Sequence, residues 1–189
     1  MNIRSNHHGQ GLLEAIIAIG IILTATIASL TLIVSSIEAS RGVRERLIAS
    51  NLAREGIEAV RAVRDSNWLA DRDWTIGWAV PNSTVKEIAT FAPDQVFPPA
   101  NPNVTRWSFT QGIVDISSID AQLFITSTSP AQYVQQSGGA AGQDSGFRRL
   151  ITVTPDSTSA YLVSSQVVYT VGGKSKTLTL QERMTNWKP

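Results

Sequence analysis

An unbroken apolar run stands near the start of the chain. Residues 15–37 carry no charged side chain and include twelve isoleucine, leucine and valine residues. A helix needs about 20 such residues to cross a bilayer. At roughly −0.5 kcal/mol for each of the twelve, insertion is favoured by about 6 kcal/mol. Glu14, at the edge of the run, opposes this by at most ~3 kcal/mol. The balance predicts membrane insertion.

The pattern then turns amphipathic. On a wheel of ~100° per residue, Ile48, Ala49, Leu52, Ala53, Gly56, Ile57, Ala59, Val60 and Val63 share one half. Ser50, Asn51, Arg54, Glu55, Glu58 and Arg61 take the other. The spacing gives the pairs Arg54–Glu58 and Glu58–Arg61, each worth ~0.2–0.5 kcal/mol on a helix surface. The charges read as a solvated face. Val43 and Leu47 lie on that charged side, where an apolar residue needs a partner or stays wet. The small residues of the stripe allow a sheet to approach closely. Asp65, Ser66 and Asn67 are poor helix-interior residues and mark the expected end. No proline interrupts residues 10–65. One helix of ~56 residues is ~84 Å long, more than the domain that follows can cover. Its first half has apolar residues all round and must be surrounded, by lipid or by other helices.

Beyond residue 66 the pattern has a period of two. Gly172-Gly173 between two alternating runs predicts a two-residue hairpin. That turn sets Val171 opposite Lys174, Tyr169 opposite Lys176, Val167 opposite Leu178 and Ser165 opposite Leu180. One face then collects Val163, Val167, Tyr169, Val171, Leu178 and Leu180, as a half-buried antiparallel sheet requires. Residues 147–154 read as a preceding strand with Ile151 and Val153 inward, and residues 155–159 as its turn. Weaker strand patterns cover 73–80, 105–116 and 122–127. Residues 81–102 are proline-rich and read as irregular. Residues 127–146, rich in Ser, Gln and Gly, read as a surface loop. The predicted class is α+β: a long N-terminal helix, apolar then amphipathic, packed on an antiparallel β-sheet.

Composition narrows the chemistry. A net charge of +1 excludes a nucleic-acid binder that works by bulk electrostatics. With no cysteine, disulfide scaffolds, Cys-ligated metals and thiol nucleophiles are excluded. Residues 38–65 carry Arg41, Arg44, Arg46, Arg54, Arg61 and Arg64 against Glu38, Glu45, Glu55, Glu58 and Asp65, while every aromatic residue lies at or after Trp68. His7 and His8 are the two histidines. Asp71 and Asp73 lack the remaining ligands of a calcium loop and read as a solvated turn. Asn82-Ser83-Thr84 and Asn103-Val104-Thr105 match a three-residue glycan acceptor pattern. Trp74, Trp78 and Trp107 read as core residues, since no basic cluster accompanies them.

The apolar run admits three readings. A cleaved secretory signal has a shorter apolar core and a small-residue cleavage site after it. Here the helical pattern continues straight through. A plain membrane anchor leaves Glu14 unexplained and usually carries interfacial Trp or Tyr. Arg4 on one side and Arg41, Arg44 and Arg46 on the other do not settle the orientation. The third reading rests on His8-Gly9-Gln10-Gly11-Leu12-Leu13-Glu14 followed by Ala15-Ile16-Ile17-Ala18-Ile19, which resembles the processing site of type IV pilins. Residues 51–61 resemble the charged continuation of pilin helices.

The resemblance implies a leader over 1–9, a transmembrane and filament-core helix over 10–37, its amphipathic continuation over 38–66 and a β-rich domain over 67–189. A prepilin peptidase would cleave after Gly9 and methylate the amine of Gln10. Losing Arg4 with the leader, and with it both histidines, leaves a mature chain of zero formal charge. Gln10 stands where many major pilins have Phe, which resembles minor pilins or divergent lineages. Glu14, Val43 and Leu47 are the implied assembly residues. The expected partners are other pilin subunits, the peptidase, the assembly platform and the cytoplasmic membrane. The expected location is the cytoplasmic membrane, then an extracellular filament. No catalytic residue, metal or cofactor is expected, and no nucleic-acid site. The alternatives are a pseudopilin of type II secretion or DNA uptake, and a single-pass receptor with a β-domain.

Overall fold

The computed structural model describes residues 8–93, 105–136 and 142–186. The chain divides after Val43 into two compact units. One helix, α1 (His8–Leu69), supplies the first unit and enters the second. From Arg44 onward α1 buries Ala49, Leu52, Ala53, Gly56, Ile57, Ala59, Val60 and Val63, while Asn51, Arg54 and Glu58 are exposed. This is the stripe that the 3.6-residue period requires.

The helix runs past Asp65, where its sequence predicts an end. Tertiary partners outweigh the poor local propensity. Asn67 is buried and donates its amide to the Ile76 carbonyl at 2.8 Å. The Ser66 hydroxyl bonds back to the Ala62 carbonyl. Trp68 is buried and donates its indole N–H to Asn186 at 3.1 Å. The turn after Leu69 closes with Asp71 in the left-handed region and the Arg72 N–H on the Asn67 carbonyl.

Seven strands form one antiparallel sheet among the described residues: β1 (Val85–Pro93), β2 (Thr105–Gln111), β3 (Gln122–Ile125), β4 (Tyr133–Val134), β5 (Gln143–Ser157), β6 (Ala160–Val171) and β7 (Lys174–Thr185). Long β5 is the hub. One edge of it pairs β6, and the other pairs β3 in its first part and β1 further on. β2 lies outside β1, and β7 outside β6. Gly172 and Gly173 both take positive φ, as a primed two-residue turn requires. The four cross-strand pairs that this turn dictates are all present.

Three segments differ from their sequence patterns. Residues 73–80 are a string of turns rather than a strand. Asp73 caps them, its carboxylate accepting from the Thr75 N–H and hydroxyl. Trp74 and Trp78 are both buried, and their four-residue spacing suits helical turns, not a strand. Within 81–102, residues 85–93 form β1, because the sheet offers two partners, β2 and β5. Within 127–146, Tyr133–Val134 and the start of β5 pair with β3.

The face of the sheet under α1 holds two apolar clusters. One joins Ile57, Val60 and Val63 to Ile151, Val153, Val163, Tyr161 and the Trp74–Trp78 pair. The other joins Ala49, Leu52 and Ala53 to Leu123, Phe147, Val167 and Tyr169. The opposite face carries a small third cluster of Ile88, Ile113 and Leu150. Trp107 is half-buried against the first cluster.

Candidate functional site

The N-terminal unit exposes its apolar surface. Every Ile, Leu and Val from Leu12 to Ile37 is exposed, by 49 to 70%. The helix is long and apolar enough to span a membrane. Its hydroxyl residues suit an apolar medium. Thr24 donates to the Gly20 and Ile21 carbonyls, Thr26 to Ile22, Ser29 to Ala25, Thr31 to Ile27 and Ser35 to Leu32. These five hydroxyls are satisfied within the helix, which removes a cost of several kcal/mol per unpaired polar group in hydrocarbon.

The sequence-predicted site residues all lie on α1. Gly9 and Gln10 fall in its first turn, and their side chains lie outside the described residues, as do residues 1–7 of the expected leader. Glu14 is exposed, one turn beyond Gln10. Val43 and Leu47 are 70% and 61% exposed. They are the large apolar residues of the charged stretch that the sheet does not cover. Asn82, Ser83 and Thr84 form an exposed turn, and Asn103 lies outside the described residues.

The charged side of α1 is only partly solvated. Glu58 is exposed, but Arg61 reaches across to β7 and donates to both carboxylate oxygens of Glu182 at 2.6 Å, while also meeting Glu58. The Glu182 hydrogen bonds raise the pKa of the Arg61 guanidinium. Glu55 meets a residue the sequence reading did not single out. Arg149 of β5 is buried, 1% exposed, directly beneath the helix. It donates to the Leu52 carbonyl at 3.2 Å, Glu55 Oε1 at 3.0 Å, the Ala89 carbonyl at 3.4 Å and Gln135 Oε1 at 3.3 Å. Gln135 in turn donates to the Arg149 and Ala121 carbonyls. One guanidinium thus ties together α1, β1 and the segment after β4. Its signal was the strand parity: Arg149 has the inward parity of Phe147, Ile151 and Val153.

A second buried ionisable group, Glu87 of β1, was likewise not singled out. It is fully buried, its Oε1 has no hydrogen-bond partner, and its Oε2 accepts a 3.5 Å contact from Gln111. Burial pushes the carboxyl up to about 9. At the surface the opposite holds. Ser117 donors hold Asp115 below the usual carboxylate range, and the Gly146 N–H does the same for Asp144.

No known protein family, curated protein or solved structure matches the chain. Among the described residues no three His, Asp or Glu side chains gather as a metal site.

Proposed function

We propose that the chain is a type IV pilin-like subunit, a structural protein rather than an enzyme. It is made as a prepilin, held in the cytoplasmic membrane by the first half of α1 and assembled into an extracellular filament. A prepilin peptidase removes residues 1–9 and methylates Gln10. The observation that carries this reading is the division of α1. The amphipathic half is covered by its own sheet, whereas the half that follows Gly9, Gln10 and Glu14 is apolar on all sides and exposed throughout among the described residues. A bilayer meets that requirement before assembly and a bundle of like helices meets it afterwards.

Glu14 gives the bundle a height marker. In a dry core an unpaired carboxylate costs several kcal/mol. The available cation is the methylated amine of Gln10, supplied by a neighbouring subunit whose axial stagger brings it alongside. Fixing register is the best-attested use of such buried ions.

Intact-mass measurement of the protein from sheared cell-surface filaments and from membranes tests the reading. The expected mass lacks residues 1–9 and carries one added methyl group. Gly9 leaves the peptidase room at the scissile carbonyl, so Gly9→Leu blocks maturation. A chain that keeps residues 1–9 in wild type is a plain membrane-anchored receptor. A processed chain that never reaches a surface filament is a pseudopilin.

A further inference from the structure

From the end of the second unit where α1 enters it, we infer a membrane-facing surface: Arg44, Arg46, Lys174 and Lys176 form a basic collar that docks on anionic lipid headgroups. The inference rests on the reading that the apolar half of α1 spans a bilayer, and it concerns the subunit before assembly. Packing within the unit brings the four together. Val60 and Val63 of α1 share one apolar cluster with Val163 of β6. Ala49 shares the other with Tyr169, and Ile48 and Val171 pack against it. The helix therefore runs against β6 and along β7, and the Gly172-Gly173 turn stands beside its entry into the unit. Lys174 pairs Val171 and Lys176 pairs Tyr169, so both lysines stand at that turn.

The fold makes no use of these cations. Elsewhere Arg61, Arg64, Arg149 and Arg183 each meet a carboxylate, and Lys86 and Arg148 meet backbone carbonyls. Among the described residues neither an ion pair nor a side-chain hydrogen bond holds Arg44, Arg46, Lys174 or Lys176, and all four are exposed. Two carboxylates share this end of the unit. Glu45 is half-buried on α1, and Asp144, at the start of β5, accepts from the Gly146 N–H. Four cations against two carboxylates leave the end positive. At the far end Arg64 meets Asp65 and Arg183 meets Asp156, so charge is balanced there within the fold.

Connectivity names the partner. Ile37 ends the uncharged run, and Arg44 opens the second unit. The seven Cα steps between them reach ~25 Å at full extension and less in any other conformation. The charges on that stretch, Glu38 and Arg41, cancel. With the run in hydrocarbon, the polar margin of the bilayer begins at its end and is ~5–8 Å deep. Attraction to an anionic surface acts over a further ~8 Å at physiological salt. The tether thus holds the collar where such a surface is felt. Basic clusters beside a membrane-spanning helix are what anionic leaflets attract, and long Lys and Arg side chains reach headgroups while their stems cover apolar surface. The contact stands the sheet on end. The opposite turn, between β5 and β6, lies ~40 Å away along the 12 residues of β6.

The chain has no cysteine, so single-cysteine variants of the full-length protein carry a fluorophore at one chosen place. Ser175→Cys labels the collar and Thr158→Cys the far turn, and both positions are exposed. Each labelled protein is reconstituted into vesicles of phosphatidylcholine, with or without phosphatidylglycerol. Both carry a trace of lipid with a nitroxide on its headgroup, which quenches on contact. The label at position 175 is expected to be quenched severalfold more in the anionic vesicles, and high salt should abolish the difference. Lys174→Gln with Lys176→Gln should return it close to the phosphatidylcholine level. The label at position 158 should be quenched little in either. Flotation with both vesicles but equal quenching at position 175, or quenching indifferent to the two lysine changes, would overturn the surface and leave the anchor standing. A chain that floats with neither vesicle would overturn the anchor and this surface with it.

Discussion

Gly56 of α1 lies against Ser165 of β6 with no room for a side chain: a methyl group on Gly56 would stand 2.5 Å from the Ser165 hydroxyl oxygen and 3.3 Å from Arg149 Cδ. Alanine would gain about 1 kcal/mol in helix propensity, against about 1–3 kcal/mol for overpacking. Gly56→Ala is therefore expected to be no more stable than wild type and up to about 2 kcal/mol less so. The Ser165 hydroxyl is buried without a hydrogen-bond partner, so Ser165→Ala forfeits no bond and should be neutral or slightly stabilising. The double variant should recover the helix gain. Urea midpoints of the four proteins form the cycle, and additive effects would contradict the contact.

Glu87 makes stability depend on pH. Its carboxyl has an ordinary value near 4.5 when unfolded and is pushed up to about 9 in the fold. The folded state thus holds a proton that the unfolded chain releases. The contribution is full below about 4.5 and is lost as pH rises through about 9. Glu87→Gln carries no such proton. Its denaturation midpoint should change less than that of wild type between pH 5 and pH 9, and it should gain relative to wild type towards the alkaline end. Parallel curves for the two proteins would remove Glu87 as the cause.

Arg149 and Glu55 should respond unequally. Arg149→Met leaves no buried charge: Glu55, whose side chain is 37% exposed, turns to water, and the cost is the unpaired Gln135 Oε1, about 1–3 kcal/mol. Glu55→Gln leaves the guanidinium buried without its carboxylate, a loss of the size seen for broken buried pairs, about 3–5 kcal/mol. Chemical denaturation of Arg149→Met and Glu55→Gln checks the asymmetry. Equal or reversed losses would mean that the carbonyl and Gln135 contacts, and not the ion pair, carry the cost.

Val43→Asp with Leu47→Asp should spare folding, since neither side chain is covered by the sheet. Filament yield should fall severalfold as a neighbour's apolar contact is lost. Normal piliation, scored by shearing and immunoblot, counts against an assembly role for these residues.

Glu14→Ala should insert and be cleaved like wild type but enter filaments at least tenfold less well. For a major subunit, filaments almost vanish. For a minor subunit, only its own incorporation falls. Wild-type incorporation in sheared filaments would end the role given to this carboxylate.

Much of the fold was legible because two periods dominate the chain. Period 3.6 gives the buried stripe from Ala49 to Val63. Period two, with the Gly172-Gly173 turn, gives the β6–β7 register residue by residue. β1 was hidden because a glutamate, Glu87, occupies an inward position and prolines flank the strand. The turns of 73–80 were hidden because Trp74 and Trp78 carry β-propensity while their spacing is helical. Of the site, the exposure of Val43 and Leu47 could be read from the wheel. The reach of Arg61 and Glu55 to the sheet could not, because both lie at the boundary of the charged face. Whether such a residue meets water or a strand depends on chain distant in sequence.

The three rings of Trp74, Trp78 and Tyr161 meet edge to face, with centroids 5.4 to 5.6 Å apart, and all five tryptophans lie at or after position 68. The chain is therefore optically divided. Its intrinsic emission arises wholly from the second unit, and the membrane-seeking stretch is dark. A fluorescence melt in detergent follows the second unit alone, while far-ultraviolet dichroism also counts the apolar half of the long helix. Any gap between the two curves measures how far the apolar half of α1 unravels on its own.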